Sequence, residues 1–227
     1  MERANSRESL KFKICRRMRI SVALACIELD MATENFHIKP GYSSRQEYLQ
    51  FDDRPHTMEW QAEVYIAAQQ LYQLQGLNTV VDIGCGAAFK LMHFFKDAQT
   101  IGLDFEPNLS FLRERYPERD WRQSDFSTPL ELQPDLVIAS DVIEHLVDPN
   151  SLMVYIRSLC PRWAIVSTPE RDVVRGEDHL GPPPNPHHVR EWNGPEFVAY
   201  VNEFLPVRSH AVIGPTQFVI CEGRSAT

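Results

Sequence analysis

The chain has 227 residues, with 23 Lys+Arg against 31 Asp+Glu and a formal net charge of −8 at pH 7. That acidic balance argues against a general nucleic-acid binder, which needs a basic face to neutralise phosphates, and 43% apolar with 24% charged residues rules against a disordered chain and suits one domain with a sizeable core. No stretch approaches the roughly 18 consecutive apolar residues of a membrane span, and the scattered cysteines Cys15, Cys26, Cys85, Cys160 and Cys221 lack the clustering of a disulfide framework or zinc site, pointing to a reducing, cytoplasmic setting.

Residues 1–30 carry seven basic and four acidic side chains, +3, which leaves residues 31–227 at −11 from 16 basic and 27 acidic groups. The basic run up to Arg19, followed by Ile20–Cys26, has the outline of a short signal peptide with a lipoprotein-like Cys26. The preferred reading is a basic extension that stands outside the fold, with a single domain over 31–227: an arm and helix over 31–76 and a core over 77–227. The arm, 32–58, is polar and broken by Pro40, Gly41 and Pro55. From Trp60 the apolar residues Val64, Ala67, Ala68, Leu71 and Leu74 recur at helical spacing, and Gly76 stands where a C-terminal cap belongs. Trp60 and Tyr65 are assigned to the packing face of that helix.

The pattern then changes. Thr79–Ile83 is a β-branched run ending in Gly84-Cys85-Gly86, and a helix follows with Phe89, Met92 and Phe95 on one side. Thr100–Asp104 reads as a second strand, Leu109–Tyr116 as a helix, and Trp121–Asp125 as a short polar third strand. Leu136–Ser140 is the fourth strand; Leu152, Ile156 and Leu159 mark a helix, and Trp163–Ser167 the fifth strand. After a helix at Pro195–Glu203, the runs Val207–Ile213 and Gln217–Cys221 flank Gly214-Pro215. Apolar strands alternating with helices predict a doubly wound, mostly parallel α/β sheet. The last two runs bring it to seven strands, as an antiparallel hairpin at one edge.

In such sheets ligands bind beyond the carboxyl ends of the strands, where the strand order reverses. Asp82, Asp104, Asp125 and Asp141 end or follow the first four strands, 22, 21 and 16 residues apart. A lone carboxylate there is often a helix cap; four at one rim favour a cationic or hydroxyl-bearing ligand. Gly84-Cys85-Gly86 lets the backbone turn sharply and approach a ligand. A dinucleotide fingerprint would put its third glycine at bulky Phe89, and Asp82 would repel a pyrophosphate but attract an ammonium group. Asp104 fits the carboxylate that accepts from ribose hydroxyls.

These residues resemble a class I S-adenosylmethionine-dependent methyltransferase, of the small bacterial type whose fourth strand runs into Asp-x-x-Glu-His-Leu, here Asp141–Leu146. Val81–Gly86, Ser167–Glu170 and His188–Trp192 carry the same likeness, which spans roughly Tyr42 to Cys221. One position departs: the pattern Asp-x-Gly-x-Gly-x-Gly ends here in Ala88. The resemblance implies a Rossmann-like methyltransferase fold with S-adenosylmethionine as cofactor. Asp82 would lie near the methionine ammonium, by way of the loop and a water. Gly84, Cys85 and Gly86 would pass under the cofactor, and Asp104 would hold the ribose. Asp125, next to Ser124, would accept from the adenine amino group, with Phe126 or Phe105 against the ring. Ser140 and Asp141 would line the methionine and sulfonium end. Two cations on the cofactor suit an acidic rim whatever the family.

Methyl transfer from a sulfonium asks the protein mainly to hold nucleophile, methyl and sulfur in line. A hydroxyl acceptor also benefits from a general base. His145 is the first candidate, its other reading being a structural histidine on the first turn of the next helix; Glu144 beside it would orient or cap. The segment 169–193, with its proline run and His187-His188, reads as a stiff loop over the acceptor and supplies two further catalytic candidates. A metal held by His179, His187 or His188 with Asp178 is disfavoured, because adjacent histidines in a Pro-rich loop lack the regularity of helix-borne ligands; no metal is expected. Arg45 in the arm would pair with the cofactor carboxylate, or the arm is a tether. The expected activity is methylation of a small-molecule or glycan-like acceptor, on oxygen or nitrogen, without nucleic acid. The alternatives are a nicotinamide-dependent oxidoreductase, which Phe89 and Asp82 oppose, and a non-catalytic member that binds the cofactor or a partner protein.

Overall fold

In the computed structural model the β-branched runs of the sequence lie side by side and the amphipathic runs cover them. The structure describes residues 35–47, 49, 54, 58, 60–128 and 130–224. The chain divides into two units, Met1–Phe36 and His37–Thr227; every element below belongs to the second, and the basic extension over 1–30 lies outside the described residues.

Helix α1 spans Ala62–Leu74 and buries Val64, Tyr65 and Ala68. It begins two residues after Trp60 because Gln61 adopts a left-handed backbone, φ 60°, which breaks the helical register. Trp60 is therefore half exposed rather than packed. Gly76, at φ +57°, closes the helix as expected of a glycine cap. Then follow β1 (Thr79–Ile83), α2 (Phe89–Phe94), β2 (Gln99–Asp104), α3 (Asn108–Arg115), β3 (Asp120–Gln123) and β4 (Leu136–Ala139). After a 3-10 turn at Ile143–His145 come α4 (Pro149–Ser158) and β5 (Trp163–Pro169). Helix α5 (Arg171–Arg175) lies inside what reads as loop in the sequence; the Glu170 side chain caps its start. The chain ends with α6 (Gly194–Asn202), β6 (Val207–Ile213) and β7 (Thr216–Glu222).

The sheet order is β3-β2-β1-β4-β5-β7-β6. Strands β1 to β5 run parallel, and β7 pairs antiparallel with both β5 and β6. The seven-stranded, mostly parallel sheet with its C-terminal hairpin is the architecture the sequence predicts. Its centre is fully buried: no residue of β4 exceeds 0% exposure, so β4 reads as an unbroken apolar run. The order reverses between β1 and β4, which opens a crevice at their carboxyl ends. Among the described residues no helix is long and apolar enough to cross a membrane.

At the opposite end, Asp135 clamps the starts of β1 and β4. Its Oδ2 accepts from the backbone N–H groups of Asn78 (2.8 Å) and Thr79 (3.2 Å), and its own N–H donates to Thr79 Oγ1. Burial raises its carboxyl, but those two N–H groups and nearby Arg162 and Arg224 outweigh burial and hold it below its ordinary range. A lowered native pKa means stability that is present above the unfolded value, roughly pH 4, and lost as pH falls through the native one. Asp135→Asn is expected to cost about 1 kcal/mol at pH 7 and to flatten the acid limb of stability against pH. Equal urea midpoints for the two proteins at pH 7 would contradict this role.

Candidate active site

The turn after β1 sets the floor of the site. Gly84 and Gly86 both take left-handed backbones, φ 68° and 54°. The N–H groups of Gly84 and Cys85 both donate to Leu103 O at the end of β2 (2.8 and 3.2 Å). A Cβ on Gly84 would stand 2.5 Å from Val142 Cγ2, so any side chain there collides with the segment leaving β4. Ala88 also sits in the left-handed region, φ 56°. That conformation explains why the pattern prefers glycine at this position and how a small residue serves.

Above this turn lies a cavity of about 640 Å³, within the range of small-molecule and cofactor sites. Asp104 is nearly buried in its wall. Its Oδ2 accepts from Gly86 N (2.6 Å), and its Oδ1 accepts from Phe105 N (2.7 Å) and Asn108 Nδ2 (3.1 Å). Burial raises its carboxyl, against the pull of those hydrogen bonds. Asp125 is exposed and also lines the cavity. Its Oδ1 accepts from the Ser127 hydroxyl (2.5 Å) and N–H (2.9 Å), which keep its carboxyl below the usual range. Ser124, Phe105 and Phe126 complete that end of the cavity.

At the other end, β4 delivers Ser140 and Asp141. The Ser167 hydroxyl accepts from Asp141 N (3.0 Å) and donates to Asp141 Oδ1 (2.6 Å), and Gln61 Nε2 donates to Oδ2 (3.0 Å). Burial raises the Asp141 carboxyl. The 3-10 turn then places Glu144 and His145. Glu144 is wholly buried; burial, and then the charge of Asp141, push its carboxyl well above the ordinary range. His145 Nδ1 lies 2.7 Å from the His187 carbonyl, and burial pushes its imidazole down to about 4. The ring is therefore neutral at pH 7 and a weak base, far from the near-neutral pKa that serves general-base catalysis best.

Nine of the twelve expected cofactor residues line this one cavity: Gly84, Gly86, Asp104, Phe105, Ser124, Asp125, Phe126, Ser140 and Asp141. Three do not. Asp82 sits inside β1, fully buried, and its Oδ2 accepts from Tyr65 Oη of α1 (2.9 Å). Cys85 turns into the core behind the sheet, close to Gly102. Arg45 points to the proline run instead, its Nη2 donating to Pro183 O (2.6 Å). Of the histidines, His145 and His188 line the cavity and His187 does not; its Nδ1 lies 3.0 Å from Leu49 O. Several lining residues carry no sequence signal as ligand contacts: Trp60, Gln61, Lys90, Asn108 and Asn185, and Thr216 at the hairpin.

A family model described as a methyltransferase domain matches residues 52–209. Among solved structures, the methyltransferase domain of bacterial CtHen1 superposes with TM-score 0.57 at 24% identity, over 72% of this chain and 98% of that one. Magnesium protoporphyrin IX methyltransferase (ChlM) from Synechocystis PCC 6803, with bound SAH, gives TM-score 0.56 at 15% identity, over 72% and 83%. An S-adenosylmethionine-dependent methyltransferase from Clostridium acetobutylicum ATCC 824 gives 0.58 at 11%, over 76% and 96%. Among curated proteins the sequence finds no significant match.

Proposed function

The chain belongs to the methyltransferase-domain family, and from that premise we propose how its cavity holds S-adenosylmethionine and what it methylates. The protein is an S-adenosylmethionine-dependent methyltransferase. The cavity suits that cofactor in size and in charge, with Asp104, Asp125 and Asp141 in its wall and two cationic groups on the ligand. Bound there, the cofactor supplies a methyl group already activated by its sulfonium.

The chain's own part is positioning. Asp104 holds the ribose hydroxyls with the lone pairs that Gly86, Phe105 and Asn108 leave open. Phe105 and Phe126 enclose the adenine, and Asp125 accepts from its amino group. Gly84 and Gly86 let the backbone lie under the methionine moiety, and Ser140 and Asp141 line the sulfonium end. Asp82 acts at one remove, fixing the strand below the turn through Tyr65. The observation that carries this reading is Asp104, which ties the glycine turn to the mouth of the cavity through a single carboxylate. The acceptor enters between Trp60, His188 and Thr216 and is a small or glycan-like molecule methylated on oxygen or nitrogen; the net negative charge of the chain supports this over nucleic acid.

Calorimetry with S-adenosylmethionine and NAD tests the cofactor, with binding of the first alone expected. Methyl turnover on a panel of hydroxyl and amine acceptors tests the second half. Binding of NAD without S-adenosylmethionine would overturn the assignment of the cavity.

A further inference from the structure

We propose that Glu144, His145 and His188 form a binding site for one divalent transition-metal ion on the wall of the cavity. One ligand atom from each, a carboxylate oxygen and a ring nitrogen from either histidine, lies within 4.8 Å of the other two. A tetrahedral ion with bonds near 2.1 Å spaces its ligands roughly 3.4 Å apart, so they need draw in by little more than an ångström.

The surroundings of the three side chains favour a metal over a mere polar contact. Glu144 is 0% exposed, and neither of its carboxylate oxygens accepts a hydrogen bond of normal geometry among the described residues. The Thr168 hydroxyl and the Glu144 backbone offset only part of the cost of burying that carboxylate, and a bound cation relieves the rest. The histidines are arranged to present Nε2. Nδ1 of His145 is engaged by the His187 carbonyl (2.7 Å), and Nδ1 of His188 by Glu191 Oε1 (2.7 Å). Glu191 is itself held by Arg175 (3.0 Å). A carbonyl behind one ring and a carboxylate behind the other is how proteins fix the tautomer of metal-ligating histidines. Nε2 of His145 lies 4.0 Å from Glu144 Oε1.

The fold brings the three together by design of its backbone. Glu144 O accepts from Val189 N (2.7 Å) and Arg190 N (3.4 Å), which binds the turn after β4 to the far loop. That contact delivers His188 to His145, with ring centroids 5.0 Å apart and planes at 85°. One existing interaction must yield: Asn185 Nδ2 lies 2.9 Å from His188 Nε2 and would be displaced by the ion. Two histidines and one carboxylate leave a coordination position open, the composition of a reactive rather than a sealed structural site. All three residues line the cavity. That the open position faces the methyl acceptor rests on the function proposed above; the site itself does not.

The full chain, stripped with a chelator, is titrated with Co²⁺ by absorption spectroscopy and with Zn²⁺ by calorimetry. One ion per chain is expected, with Co²⁺ bands of a low-symmetry histidine site and a rise in Tm on loading. Glu144→Gln, His145→Gln and His188→Gln should each weaken binding at least tenfold, while His93→Ala, an exposed histidine on α2, should not change it. Circular dichroism confirms folding. If a variant does not fold, the wild-type stoichiometry and spectrum decide. No ion bound at 1 mM, or stoichiometric binding that survives loss of both His145 and His188, overturns the proposal. S-adenosylhomocysteine is titrated into the same metal-free sample. Its binding without ion binding sinks the metal site and spares the cofactor assignment; the reverse result does the opposite.

Discussion

Asp104→Ala should weaken S-adenosylhomocysteine binding at least tenfold, a loss of about 1.4 kcal/mol or more. The loss has two sources. The hydroxyl hydrogen bonds assigned to this carboxylate disappear, and bonds to a charged acceptor are the stronger kind. The substitution also strips the acceptor from Gly86 N, Phe105 N and Asn108 Nδ2, so the glycine turn loses its tie to β2. Asp104→Asn is not a silent control. One amide oxygen keeps an acceptor for Gly86, but the amide nitrogen then faces two donors, so affinity should still fall. The second effect is separable from the first, because loosening of the turn lowers Tm and loss of ligand contacts does not. Calorimetry on the folded variant decides, and an unchanged affinity sinks the role of Asp104.

Asp104 is also the residue that the sequence places best. It ends a β-branched run 22 residues after Asp82, and one βα unit is enough chain to bring the end of the next strand alongside. The sheet followed from the same pattern, because strands buried on both faces leave unbroken apolar runs whatever their neighbours are. Residues on the faces of elements were harder. Asp82 lies one residue short of the end of the Thr79–Ile83 run, and its side chain meets Tyr65 of α1 rather than the cavity, which the strand's bounds alone do not reveal. Trp60 continues the helical apolar spacing, and no residue type announced that Gln61 would take a left-handed turn before the helix. Arg45 and His187 were misplaced for another reason. Their partners, Pro183 O and Leu49 O, are backbone groups 138 residues away, and any carbonyl looks alike in a sequence. The His187-His188 pair shows the same limit. Which of two adjacent rings turns inward is settled by Glu144 O meeting Val189 N, a contact between segments that share no local pattern.

Arg171→Met should destabilise the fold by about 3–5 kcal/mol, the range for breaking a buried ion pair from one side. The Arg171 side chain is fully buried. Its Nη1 and Nη2 meet the two carboxylate oxygens of Glu196 at 2.6 and 3.0 Å, and its Nε meets Asp172 Oδ1 at 3.0 Å. The guanidinium also lies 5.5 Å from the Tyr42 ring centroid. Glu196 has further work: it completes the capping box of α6 with Asn193 and accepts from Lys39 N. Methionine fills most of the volume but leaves the Glu196 carboxylate, itself only 10% exposed, without its cation. Arg171→Lys should fail as well, since an ammonium cannot make the two parallel bonds. Adding Glu196→Gln to Arg171→Met should recover part of the loss, because the second change removes the stranded charge; a double-mutant cycle in urea reads that coupling. A loss below about 1 kcal/mol would mean that the pair is no more than a surface ion pair in effect. The consequence reaches the site through the chain itself. Arg171 N donates to Trp192 O, and Glu191, one residue before, holds His188. A slackened α5 should therefore weaken ion binding at His188 before it weakens cofactor binding at Asp104, and the order of those two losses tests whether this loop is built around the histidine.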